Sequence, residues 1–238
     1  MFETIYTIPI NEAFDKSIEE GKGCPFCRLY EKFEENELEL ILGGSMMEPD
    51  VRIKTNKQGF CHRHYGKLLG KRNRLGVALI LESHLAEIRD GVKGGIADAV
   101  KGAGSTACAR IKELNKSCYL CSRIDFSFGK VMENAVLLWQ AEPAFRKKAA
   151  DQPYYCLPHL ELYARYGKYG LKKKEYGDFY KAVSAPTLKY FEELQDDVSW
   201  FCKKFDYRYD DEPWGNSKDS VERAVAFLSV PADTEKLQ

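Results

Sequence analysis

The 238-residue chain carries no net charge, because lysine and arginine total 36 and aspartate and glutamate also total 36. A balanced chain sets up no overall field toward polyanions, so any nucleic-acid reading must rest on a local patch. The first twenty residues, MFETIYTIPINEAFDKSIEE, have neither the basic segment nor the apolar core of a secretory leader. The longest apolar run, near Val77 to Leu81, is far too short to span a bilayer, so no membrane partner is expected. Together these absences predict a soluble cytoplasmic protein. Alternation with period two is almost missing, which argues against sheet. No Ser/His/Asp or Cys/His catalytic set stands out. The glycine-rich stretch 91–104 lacks the spacing of a phosphate loop, with its lysine and following hydroxyl residue. The balance leans away from an enzyme.

Histidine is scarce too, at four residues, and two of the four fall into one pattern with six of the eight cysteines. Cys24, Cys27, Cys61 and His64 form a CxxC followed by a CxxH. Cys118, Cys121, Cys156 and His159 repeat it with nearly the same gap. In a reducing compartment such cysteines read as metal ligands rather than as a disulfide framework. Two thiolates three positions apart turn inward from one tight loop, and three thiolates with one imidazole suit zinc. The spacing predicts two zinc sites per chain, each local to its half. Four protein ligands leave no open position for a substrate water, so the expected role is structural. Iron–sulfur clusters are the main competitor, since thiolates and histidine also hold iron. Cys24-Pro25-Phe26-Cys27 resembles a redox dithiol, but no βαβ pattern surrounds it.

A second coincidence supports duplication. Glu48 and Glu142 each lie 21 residues beyond the second cysteine of their CxxC, and each opens an EPxxR stretch. The simplest reading is a helix start, with proline early in the first turn and a glutamate at the positive end. A sharper reading makes Glu48, Arg52, Glu142 and Arg146 a ligand cleft between the halves.

Periodicity predicts helices over 11–22 (Phe14, Ile18), 28–42 (Leu29, Phe33, Leu40, Ile41) and 75–89 (Leu75, Ala78, Leu81, Leu85, Ile88). Further helices follow Cys121 (Ile124, Phe128, Val131, Ala135, Leu138), run from Thr187 to Phe205 after Pro186, and start near Asn216 with Val221, Ala224, Val225 and Leu228 inward. Short extended pieces at 5–10 and around the metal-binding knuckles are the allowed exceptions. His84 reads as a structural histidine, and Cys108 and Cys202 as buried free thiols. The fold class is therefore mainly α: two tandem homologous helical repeats, 1–95 and 96–204, each clasped by a three-cysteine one-histidine metal site. Residues 205–238 form an aromatic and acidic extension with a C-terminal helix.

Basic residues cluster in 62–74 and again, among tyrosines, in 165–181. Such mixtures bind single-stranded nucleic acid through phosphate contacts and stacking, although solvated helix faces account for the same letters. With its paired CxxC and CxxH elements, its EPxxR segments and its ending FDYRYDDEPWGNSKDSVERA, the chain resembles an uncharacterised bacterial domain-of-unknown-function family. The resemblance covers most of the length. It implies a cytosolic bacterial protein and brings no catalytic residue with it. The sequence thus favours a non-enzymatic, zinc-stabilised protein binding a partner protein or small molecule between its halves. An iron–sulfur or redox enzyme, and a single-strand binder, are the alternatives.

Overall fold

The computed structural model describes residues 4–100 and 106–229, and these form helices with short 3-10 turns and no strand. In chain order the helices are α1 (Thr4–Glu20), α2 (Pro25–Leu42), α3 (Pro49–Gln58), α4 (His62–Gly70), α5 (Arg74–Val100) and α6 (Thr106–Leu114). After them come α7 (Tyr119–Ala141), α8 (Pro143–Ala150), α9 (Leu157–Gly170), α10 (Lys173–Lys203) and α11 (Ser220–Leu228). They divide into two compact units, 32–126 and 1–31 with 127–238, so α2 and α7 each contribute to both.

In the unit made of 1–31 and 127–238 the core is aromatic. Phe14 meets Phe26 at 5.4 Å and Phe145 at 5.0 Å between ring centroids, and Phe26 meets Tyr163 at 4.8 Å. Burying each such ring stabilises by roughly 1.5–3 kcal/mol, and the edge-to-face pairs add to that. Two buried tyrosines satisfy their hydroxyls on backbone carbonyls, Tyr155 on Ala149 at 2.8 Å and Tyr163 on Ala135 at 3.2 Å. Gly167 lets α9 approach α10, because a Cβ built there would fall 2.3 Å from the Phe179 ring.

Pro186 does not interrupt the chain as the sequence suggested: α10 runs through it from Lys173 to Lys203. A proline inside a helix costs about 3 kcal/mol, but Phe179 and Val183 before it and Thr187 and Leu194 after it are buried and hold the helix together. The same logic overturns the extended piece at 5–10. Helix α1 includes Pro9, and Ile10, Phe14 and Ser17 are completely buried at helical spacing.

Several predicted faces are rotated. In α5 Val77, Ile80 and His84 are buried, whereas Leu75 and Leu85 are exposed. In α11 Phe227 and Ser220 point inward and Val221, Val225 and Leu228 do not, and in α2 Leu38 is buried where Leu40 is exposed. Each helix carries more apolar residues than its buried stripe needs, so periodicity alone left the choice of face open. Cys202, expected to be buried, is exposed, and the side chain of Cys108 lies outside the described residues.

The aromatic, acidic stretch after α10 is ordered around one cation. Lys204 is buried, donates to the backbone carbonyls of Asp210 at 2.9 Å and Glu212 at 2.7 Å, and sits over the Trp214 ring. A buried ammonium needs such compensation, and here carbonyl dipoles and a ring face supply it.

Candidate metal centre

All four ligand pairs stand at helix N-termini. Cys24 and Cys118 lie just before the starts of α2 and α7, with Cys27 and Cys121 in their first turns. Cys61 and Cys156 are the N-cap residues of α4 and α9, and His64 and His159 follow in the first turn. Helix N-termini carry positive partial charge, which favours thiolates and offsets the net negative charge of three thiolates around a divalent ion.

The ligands come together in two groups, and the grouping corrects the sequence reading. Cys24, Cys27, Cys156 and His159 form one; Cys61, His64, Cys118 and Cys121 form the other. Each CxxC meets the CxxH of the opposite half, so the local quartets predicted from spacing do not occur. The chain returns along α2: Arg63, His64 and Lys67 of α4 meet Glu34, about two turns beyond Cys27, and Lys71 meets Glu35. The first CxxH is therefore seated beside the middle of α2 rather than at its start, and each group falls wholly within one compact unit.

In each group the four ligand atoms lie within 4.8 Å of one another. In the first, the imidazole presents Nδ1 to the sulfurs of Cys24, Cys27 and Cys156 at 3.7, 3.4 and 3.1 Å, and the Cys27 and Cys156 sulfurs are 3.6 Å apart. In the second, His64 Nδ1 lies 3.3, 3.2 and 3.3 Å from the sulfurs of Cys61, Cys118 and Cys121, with Cys61 and Cys121 at 3.8 Å. A tetrahedral ion with bonds of about 2.3 Å to sulfur and 2.0–2.1 Å to nitrogen places its ligands roughly 3.6–3.8 Å apart. The residues fit a single ion in each group.

The thiols in each group compete for protons. Hydrogen bonding from Cys121 drives the Cys118 thiol down to about 3 against its burial, with His64 adding to the effect. Burial pushes the Cys61 thiol up. In the other group the hydrogen bond with Cys156, followed by that with Cys24, holds the Cys27 thiol well above its ordinary range. A metal ion would replace these shared protons with one charge that all three sulfurs accept.

Beyond the ligands the two groups differ. Glu34, on α2 and almost fully buried, accepts from His64 Nε2 at 3.1 Å and pairs with Arg63 and Lys67. This is a carboxylate–histidine arrangement that fixes the ring and its tautomer. His159 is as deeply buried, but its Nε2 has no acceptor among the described residues and faces aromatic rings, with Phe128 at 5.3 Å and Phe26 at 6.1 Å. Phe128 follows Cys121 by seven residues, as Glu34 follows Cys27. Pro158 and Leu162 likewise stand where Arg63 and Lys67 stand relative to the CxxH cysteine. Sequence reasoning missed Glu34. Its signal was an acidic residue four positions from both Tyr30 and Leu38, on the buried stripe of α2.

The EPxxR residues start helices. Glu48 and Glu142 are the N-cap residues of α3 and α8, with proline in the first turn. Arg52 donates to the Leu79 carbonyl and to Ser83 Oγ; Arg146 donates to the Trp139 carbonyl at 2.7 Å and lies over that indole. Glu48 and Arg52 belong to one compact unit and Glu142 and Arg146 to the other. His84 has the structural role expected of it, with Nδ1 3.0 Å from the Asn56 carbonyl oxygen. Of the basic segment 62–74, Arg63, Lys67 and Lys71 are engaged by Glu34 and Glu35. In 165–181, Arg165, Lys168, Tyr169, Tyr176 and Tyr180 share the lining of one surface groove on α9 and α10. Among the described residues no helix is long and apolar enough to cross a membrane.

No match is found among curated proteins or among solved structures. A family model for a family of unknown function, DUF6062, matches residues 1–235, and the chain belongs to that family.

Proposed function

We propose that the protein is a zinc-binding helical module whose two metals are structural clasps, and that its shape, rather than a reaction at the metal, is what it offers to a partner. The observation that carries this is the convergence of three sulfurs and one imidazole nitrogen within 4.8 Å, twice, from segments far apart in sequence. Ligands this close surround one ion; a multi-iron cluster, whose irons share the ligands out, needs them spread further. Four protein donors close the coordination sphere, which favours structure over hydrolysis.

Metal analysis and an absorption spectrum of anaerobically purified protein test the identity. Colourless protein with two zinc ions per chain is expected; brown protein with iron and sulfide would sink the reading. Paired substitutions test the architecture. Cys27→Ser with Cys156→Ser strikes one group and should leave one metal, whereas Cys27→Ser with Cys121→Ser strikes both and should leave none. Local quartets would give no metal in either double variant.

A second reading has one observation of its own. The α9–α10 groove sets Tyr169, which is 83% exposed, beside Tyr176 and Tyr180, with Arg165 and Lys168 on the same lining. Stacking rings beside cations suit a single-stranded nucleic acid. Retention on single-stranded RNA at low salt, lost on Tyr169→Ala or when Lys172, Lys173 and Lys174 are neutralised, would promote it. Failure to bind at low salt removes it.

A further inference from the structure

The two ligand groups have the same donors and nearly the same internal distances, so any difference in how they hold a metal must come from their surroundings. Exposure does not separate them: Cys27 in one and Cys61 in the other are both partly exposed. The outer face of the histidine does. A metal-bound imidazole that donates its second N–H to a carboxylate is a more basic, better oriented ligand, and removing that partner typically weakens metal binding about 10–100-fold. His64 has this partner in Glu34, itself anchored by Arg63 and Lys67. His159 has Phe128 in the corresponding place and no acceptor for Nε2 among the described residues.

A second, independent feature bears on the His159 group. Cys24, Cys27 and His159 line a cavity of about 560 Å³, together with Arg28, Tyr154 and Ser229. A metal held there has a path by which a small competing ligand can reach it without the unit unfolding. The aromatic core around Phe14, Phe26 and Tyr163 packs α1 and the start of α2 within the unit.

Building on the zinc reading above, we infer that the two metals differ in kind: the ion of Cys61, His64, Cys118 and Cys121 is held, and the ion of Cys24, Cys27, Cys156 and His159 is exchangeable. The acceptor that takes it is a small thiol or aminocarboxylate chelator entering by the Cys27 cavity. The exchange is a ligand substitution, in which the acceptor's donors replace the protein's on the same divalent ion and the freed thiols take up protons; no electron is transferred.

The test is a chelator titration of the full chain carrying both zinc ions. A short pulse of an alkylating reagent at each point is followed by mass spectrometry of the cysteine-containing peptides. Release in two steps is expected, about 10–100-fold apart in chelator concentration, with Cys27 and Cys156 becoming labelled in the first step and Cys61 and Cys121 in the second. Release of both metals together, or labelling of Cys61 and Cys121 first, overturns the inference while leaving a two-zinc protein intact. A chain that binds no zinc at all refutes the zinc reading instead. Glu34→Gln keeps the side chain's size and should narrow the gap by weakening the second step alone. An unchanged gap in a folded, two-zinc Glu34→Gln protein would also overturn it. If that variant does not fold, the two-step titration of the unmodified chain still decides.

Discussion

Two ligand groups of identical composition sit in opposite kinds of surroundings, one buttressed by ions and the other by rings. Around His64 the support is a carboxylate with two cations; around His159 it is Phe128, Phe26 and a hydrocarbon stripe including Leu162. If the two groups hold ions, the same donor set would hold them with different firmness, because firmness depends on groups that never touch the ion. The difference also divides the labour of stability. The aromatic group lies in a core of packed rings, whereas the ion-buttressed group depends on charges that need one another.

The largest effect expected from breaking this comparison is at Phe128. Phe128→Ala opens a cavity beneath His159 and should cost about 3–5 kcal/mol in urea unfolding of the metal-loaded chain. The second metal step in the chelator titration should stay where it is. A loss below about 1 kcal/mol, well short of that range, would show that the aromatic core does not carry its group. Next comes Gly167, where the added methyl of Gly167→Ala meets the Phe179 ring with no room to spare. Overpacking of this kind costs about 1–3 kcal/mol. A drop of several degrees in thermal midpoint is expected, and no drop would mean that α9 and α10 separate freely.

The membership of the two cysteine–histidine groups could be read in the sequence, since all eight residues follow from spacing and residue type. Their pairing could not. A CxxC and the CxxH that follows it look like one unit along the chain, but α4 seats its CxxH against Glu34, about two turns along α2 from Cys27, where it meets the other CxxC. Helical class was readable because apolar residues recur at three and four positions; which face turned inward was not, because α5 offered both Leu75 with Leu85 and Val77 with Ile80. Proline misled twice. At Pro9 and Pro186 local propensity lost to the burial of Phe14 and of Phe179 and Thr187 on the same helices. Glu34 was hidden for the opposite reason: a charged residue on an apolar stripe reads as noise until the fold brings His64 against it.

The smallest predicted effect is the most selective for the comparison. Lys67 and Arg63 reach Glu34 from partly exposed positions, with 44% and 23% of their side-chain surfaces accessible. Salt reaches such pairs only from the cation side, because Glu34 itself is buried, and so screens them in part. Raising ionic strength from about 0.05 to about 1 M should therefore loosen the Glu34 carboxylate's hold on its cations and shift the second metal step by a few-fold at most. The first step has no ion pair at its histidine, among the described residues, to screen. Any effect of the salt on the chelator or on free zinc acts on both steps alike, so the ratio between them is the quantity to read. A ratio that narrows with salt supports ionic buttressing of one site alone. A ratio that stays fixed would place the difference between the sites in the histidine–carboxylate bond itself, which is buried beyond the reach of the salt.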